Sequence, residues 1–286
     1  MNIKLEGDIA QLLGHRIKED GDFVVMDKED LLISSLNYTN TIFCGFTKVP
    51  ELLKASYDLT KRKNCDFIVS KWYDGKWSCQ TLIGFVLPTL MNNNLGVECD
   101  TGYTGRYVDD SKNIFSSLFS SQLILPFYQG YVSFFCSIEE KELMVNDIFF
   151  GLPGGGFFAT LEGVKNRVSN FLIGETPRLQ ESWIISLLFS RYPFPLKQKR
   201  DRVFVDNLSL SKLKHLFLAE YKQTKSHFVD GNFLGYATAW GKSLSNTGNR
   251  VLSTLDSIEV KEKQYRTDTI QYASQAWQYL QLQGLV

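Results

Sequence analysis

The stretch from Asp66 to Tyr107, DFIVSKWYDGKWSCQTLIGFVLPTLMNNNLGVECDTGYTGRY, constrains this chain most. Two runs rich in aromatic and branched residues, Phe67 to Trp72 and Trp77 to Ile83, flank Tyr73-Asp74-Gly75-Lys76. Asp-Gly between such runs predicts a β-hairpin, because the turn needs positive φ and glycine supplies it without a Cβ penalty. The stretch closes on Gly102-Tyr103-Thr104-Gly105, read as a loop. Its glycines either turn the chain or let the backbone approach an anionic ligand.

At 286 residues the chain is long enough to bury a proper core and to hold one to three domains. Lys+Arg and Asp+Glu balance at 31 each, so no global field steers the chain to nucleic acid or a membrane surface. The polar segment after Met1 does not read as a signal peptide. No apolar run approaches the ~20 residues of a membrane-spanning helix. The five cysteines show no C-x-x-C spacing, which fits buried thiols in a reduced, cytoplasmic setting. Three dispersed histidines offer little to a catalytic zinc site.

Short strands are expected at Phe23 to Met26 and Ile42 to Phe46, and helices at 9–16 and 49–63. After the opening hairpin come a helix at Ser111 to Ser121 and strands Gly130 to Ile138 and Leu143 to Phe150. A glycine-rich loop, Gly151 to Gly156, follows. Leu179, Trp183, Ile184, Leu187 and Leu188 recur at helical spacing and predict a helix over 177–189. A basic run, Lys197 to Arg202, reads as a solvated loop. Strands are then expected at 203–205, 216–221, 227–230 and 233–240, with Asp230-Gly231 as a second hairpin turn. Helices at 244–258 and 270–283 end the chain.

Several motifs in order resemble the phosphoribosylamine–glycine ligases, ATP-grasp enzymes of purine synthesis. Trp240-Gly241-Lys242-Ser243-Leu244 is similar to their W-G-(D/K)-(T/S)-L, and Gln264-Tyr265-Arg266-Thr267-Asp268 to their Q-Y-R-R-D. Tyr192-Pro193 resembles G-Y-P, Phe150-Gly151-Leu152-Pro153 resembles F-G-D-P, and Asp100 to Gly105 resembles N-T-G-G-M-G. Ile68 to Gly75 stands where the family has V-V-I-E-E-F-L-D-G. The order holds from about residue 60 to 270. Met26 replaces the small-lobe lysine, Ser70, Lys71 and Trp77 replace acids, and Val145-Asn146-Asp147, or Asn146-Asp147-Ile148 with a one-residue shift, replaces the metal-binding E-F-N. Met91 to Asn94 replaces D-H-K-R, and the family's leading nucleotide-fold domain has no counterpart in this sequence.

The resemblance implies an α+β chain with an ATP-grasp-like fold and a C-terminal small β-rich, barrel-like domain. It implies a reduced small lobe at 1–65, a large lobe at 66–189 and a C-terminal domain at 190–286. The activity implied is ATP-dependent carbon–nitrogen ligation of a carboxylate to a sugar- or nucleotide-like amine, with ATP and Mg2+ as cofactors. Asp147 and Arg266 are then the catalytic candidates, and Asp147 and Asn146 the metal ligands. Lys71, Trp72 and Tyr73 would face ATP. Asp100, Thr101, Gly102, Gly105, Tyr265, Arg266 and Asp268 would face the substrate. Phosphoryl transfer needs magnesium across the β- and γ-phosphates and a cation on the developing charge, so the replacements raise an alternative. That alternative is a non-catalytic relative that binds a ligand or a partner protein, or a subunit whose missing domain another chain supplies. No feature points to a membrane or to nucleic acid.

Overall fold

The computed structural model describes segments 3–5, 23–25 and 42–43, then residues 65–88, 100–119, 129–152, 155–164, 182–194, 197, 201–206, 208–219, 221–223 and 227–286. The helices expected at 9–16 and 49–63 lie outside the described residues. The short strands β1 (Ile3–Leu5), β2 (Phe23–Val25) and β3 (Ile42–Phe43) precede the main body.

The opening stretch forms β4 (Phe67–Tyr73) and β5 (Gln80–Pro88), paired antiparallel with Ile68 opposite Gly84 and Ser70 opposite Leu82. Gly75 has φ +92°, as the Asp-Gly turn requires. The return strand starts three residues later than expected, with Trp77 bridging back to Tyr73. All seven residues of β4 are buried. Its run of large side chains therefore serves two covered faces rather than one.

The strand pair extends into a ten-stranded, mostly antiparallel sheet. Its members are β6 (Asp100–Asp109), β7 (Gln129–Glu139), β8 (Glu142–Phe150), β9 (Trp183–Arg191), β11 (Leu216–Leu218), β14 (Phe233–Gly241) and β15 (Lys263–Tyr265), besides β3, β4 and β5. The order runs β11-β14-β9-β6-β5-β4-β7, with β3 and β8 both on β7 and β15 on β9. A separate three-stranded sheet has the order β10-β13-β12, made of β10 (Arg202–Phe204), β12 (Tyr221–Gln223) and β13 (His227–Asp230).

Helix α1 (Gly156–Gly163) packs on one face of the large sheet, and α3 (Leu244–Asp256) and α4 (Thr269–Leu282) pack on the other. A short helix, α2 (Leu210–Leu213), leads into β11. Among the described residues no helix is long and apolar enough to cross a membrane. The expected domain limit at 189/190 falls inside β9, and strands from both sides of it share the large sheet.

Four expectations are corrected. Gly102 to Gly105 lie within β6, not in a loop. Gly105 faces Gly84 across the ladder, and the Tyr103 ring lies over both; a Cβ on Gly84 would sit 1.9 Å from the Tyr103 hydroxyl. These glycines make room for an aromatic ring. The expected helix over 177–189 is strand β9 from Trp183 onward; Pro177 and Leu179 lie outside the described residues. Helical spacing misled there because nearly every residue of WIISLLF is buried on one face or the other, so any period fits the run.

Over residues 111–119 the helix expected at Ser111 to Ser121 is replaced by two 3-10 turns, Asp110–Lys112 and Phe115–Leu118, and residues 120–121 lie outside the described residues. Asn113 separates them by bonding the Asp109 carbonyl and the Phe115 amide, each at 2.9 Å. Such side-chain bonds compete with helix continuation. Finally, Asp230-Gly231 turns the chain with Gly231 at φ +101°, but it joins β13 of the small sheet to β14 of the large one and makes no hairpin.

Candidate functional site

The candidate residues fall in four places along the large sheet. On β4, successive side chains point to opposite faces. Ser70 donates to Ser133 Oγ at 2.7 Å, and Ser133 donates to the Gly151 carbonyl at 2.6 Å. Trp72 meets Tyr131 edge-on on the same face, with ring centroids 5.4 Å apart. Lys71 points the other way and is 3% exposed. Its ammonium pairs with Asp110, lies 5.6 Å from the Phe119 ring centroid, and Asp110 also accepts from Thr81 Oγ1 at 2.8 Å. Tyr73 is buried against Trp77, with centroids 4.7 Å apart. An ammonium taken out of water costs several kcal/mol unless it is paired, and Asp110 supplies that pair.

β4 pairs with β7 along its whole length and with β5 over Ile68 to Ser70, while Trp72 and Tyr73 are met by the turn through Ser78 and Trp77. Over Ile68 to Ser70 β4 is an interior strand, and all seven of its residues are buried.

On β6, Asp100 and Thr101 open the strand, Gly102 pairs with Leu187, and Gly105 lies between Gly84 and Ile184. On β8, the register jumps so that Asp147 faces Phe135 and Val145 faces Cys136. Asn146 is the extra, bulged residue. Its amide donates to Ser137 Oγ at 2.9 Å, and Asp147 Oδ1 accepts from the Ile148 amide at 2.9 Å.

At the far end, Arg266 grips Asp268 through two nitrogens, Nε to Oδ1 and Nη2 to Oδ2, the second at 2.9 Å. The guanidinium also lies 5.2 Å from the Tyr272 ring centroid. That hydrogen bond from Arg266 holds the Asp268 carboxyl below its ordinary range. Tyr265 donates to Asp256, and burial, followed by that carboxylate, pushes its phenol up to about 12.

Tyr265, Arg266 and Asp268 thus stand together. So do Asn146 and Asp147. The two groups do not meet along the sheet: β15 shares the β6 flank of β9, and from that flank β8 is four strand spacings away, about 19 Å at ~4.8 Å each.

Magnesium takes six oxygen ligands in near-octahedral array, usually including one or two carboxylates. On β8 the nearest donors are Asp147 and an amide whose nitrogen is turned to Ser137. Among the described residues no group of three or more His, Cys, Asp or Glu stands placed to hold a metal. One or two carboxylates with phosphate and water oxygens commonly hold Mg2+, so Asp147 with the Asn146 side-chain oxygen is the set on β8 that would hold it.

Sequence reasoning missed Asp110, although Asp109-Asp110 directly after a strand was a visible pair of acids. It also missed a cluster of Glu162 on α1, His215 before β11 and Thr238 on β14. Its members lie 53 and 76 residues from Glu162, so no local pattern could announce them. Arg106 was missed too: its guanidinium lies against the paired rings of Trp183 and Trp277, 5.4 and 4.7 Å from their centroids. The free thiols divide: Cys79 is exposed, against expectation, while Cys136 is buried and Cys65 half-buried.

No protein-family model matches the chain, and no curated protein sequence matches it. Among solved structures, the chain is similar to a phosphoribosylamine–glycine ligase from Thermotoga maritima, with a TM-score of 0.51 and 13% identity. The match covers 71% of this chain and 55% of that one, so the chain spans about half the length of that ligase. A phosphoribosylglycinamide synthetase from Anaerococcus prevotii matches at TM-score 0.43 and 8% identity, over 68% of this chain and 52% of that one. An L-amino acid ligase from Bacillus licheniformis matches at 0.38 and 10%, over 68% and 53%. The likeness to the Thermotoga maritima ligase is one of fold.

Proposed function

We propose that this chain is a divergent ATP-grasp protein that keeps the scaffold of a carboxylate–amine ligase and uses it to bind a ligand or a partner protein. One observation carries this reading: Lys71, at a position expected to face ATP, is committed to Asp110 inside the sheet. Ser70, beside it, is committed to Ser133. Neither is available to a nucleotide without breaking a buried interaction. In this reading residues 190–286 keep the C-terminal role that the resemblance implies while contributing strands to the large sheet, in the reduced, cytoplasmic setting expected from the cysteine spacing. A partner chain supplying a nucleotide-fold domain is compatible with it.

A second reading, an active ATP-dependent ligase, is favoured by Asn146 and Asp147. They keep two oxygen-bearing side chains side by side where the family's motif carries its metal ligands. Fold alone does not decide between the two.

Thermal unfolding with millimolar ATP and Mg2+ separates them. Binding to the native state alone raises stability with ligand concentration. The first reading expects no rise in Tm. A rise that Asp147→Ala abolishes would overturn it in favour of the ligase.

A further inference from the structure

Glu162 sits on α1 with its side chain 5% exposed, a position that a carboxylate occupies only when its charge is answered. Among the described residues, two side chains answer it. His215 Nδ1 lies 2.6 Å from Oε1, and Thr238 Oγ1 donates to Oε2 at 2.8 Å. The backbone fixes the same unit: the Thr238 amide donates to the His215 carbonyl at 2.8 Å, and the His215 amide donates to the Lys212 carbonyl at 2.9 Å. Behind it, Phe158 of α1 packs on Phe217 of β11 and stacks on Tyr236 of β14. Three elements distant in sequence thus converge on one imidazole.

An ionised carboxylate accepts hydrogen bonds and donates none, so Nδ1 of His215 must carry a proton. In the neutral ring that leaves Nε2 as the acceptor, with its lone pair directed away from Glu162. The side chain of His215 is 33% exposed, and Nε2 has no hydrogen-bond partner among the described residues. A carboxylate that fixes the tautomer and orientation of an imidazole is the arrangement by which proteins ready the second nitrogen for a ligand or a proton.

We propose that His215 is a proton-accepting site for a small protic molecule, an alcohol or an amine, with Glu162 as its positioning residue. The ligand's O–H or N–H donates to Nε2. If the proton transfers, it passes to Nε2 and leaves an imidazolium whose Nδ1–H remains on Glu162, while the ligand keeps the electron pair. The site is independent of the nucleotide question: it uses none of the residues that the ATP-grasp resemblance assigns.

The test uses the full chain and two readouts. Nitrogen-15 NMR of the three histidines, with His215→Asn to identify the signal, should show the neutral His215 ring protonated at Nδ1. Diethyl pyrocarbonate, which acylates an unprotonated ring nitrogen, should modify His215 in the folded protein and at Nε2. Glu162→Gln should release the tautomer preference and slow that modification several-fold. Circular dichroism and His227 reactivity report whether the variant still folds. If Glu162→Gln unfolds the chain, the wild-type tautomer and modification site decide alone. A ring protonated at Nε2, or a His215 inert to the reagent in the native protein, would overturn the proposal. So would a Glu162→Gln variant that stays folded with tautomer and reactivity unchanged, because Glu162 would then merely pack.

Discussion

The middle of the large sheet and its β15–α4 end carry candidate residues of the same origin in opposite settings. In the middle, Lys71, Trp72, Tyr73 and Gly105 are sealed between covered faces, and each has a packing task. At the end, Arg266 and Asp268 hold each other at the surface, where Asp268 is half exposed. A motif in sequence order says that a piece of backbone occupies a familiar place. Whether its side chains meet solvent, a ligand or a neighbouring strand is settled by packing, and here packing divides one set of candidates into core and surface.

The sharpest way to break this contrast is at Lys71. If it belongs to the core, Lys71→Met leaves the Asp110 carboxylate without its ammonium. Removal of one partner from a buried pair costs about 3–5 kcal/mol, and partial exposure of Asp110 puts the expected loss near the lower end, about 3 kcal/mol. Urea unfolding measures it. A loss under about 0.5 kcal/mol, the scale of ordinary surface substitutions, would place Lys71 in a surface site instead.

Gly84 tests the packing role of the glycines. A methyl there meets the Tyr103 hydroxyl and ring at 1.9 to 2.6 Å, so Gly84→Ala should cost about 2 kcal/mol by overpacking. Adding Tyr103→Leu should recover part of that loss, since contacting sites couple. Independent, additive losses would show that the ring is not what the glycine accommodates.

The thiols mark the same division kinetically. Burial pushes the Cys65 thiol up to about 12 and the Cys136 thiol higher still, so little thiolate forms at pH 8. Mass-mapped labelling should find Cys79 modified first and Cys65 and Cys136 only on unfolding. Rapid native labelling of Cys136 would mean that the middle of the sheet opens.

The smallest effect is expected at the far end. Arg266→Ala should cost about 0.5 to 1 kcal/mol, because the pair is largely solvated on the Asp268 side. Arg266 depresses the folded Asp268 pKa, so the pair's contribution is present above the unfolded value, about 4, and is lost as pH falls through the lowered folded value. The difference in Tm between wild type and variant should therefore shrink in acid. A difference that grows in acid would contradict the assignment.

The sequence carried the hairpin, the β7–β8 pair and the last two helices, because each rests on local signals: a turn glycine, alternation bounded by polar corners, apolar residues on one helix face. It misread β9 because a strand buried on both faces has no period to detect. The two Asp-Gly turns differ for a related reason. Turn chemistry sets φ at Gly75 and Gly231 alike, but which strands then pair depends on partners far away in sequence. The resemblance located the fold. It did not reveal that Asp110 would reach Lys71, nor that Glu162, His215 and Thr238 would meet, since both groupings arise only when distant strands are laid side by side.

The central claim is that β4, buried along its whole length, is a core strand and not a nucleotide-binding hinge. Amide hydrogen exchange, followed with and without ATP and Mg2+, tests it most directly, because exchange from a buried core strand requires sub-global or global opening. The account predicts that amides from Phe67 to Tyr73 are among the most protected in the protein and that nucleotide leaves their rates unchanged. Rapid exchange over Ser70 to Tyr73 that slows when ATP and Mg2+ are added would contradict it.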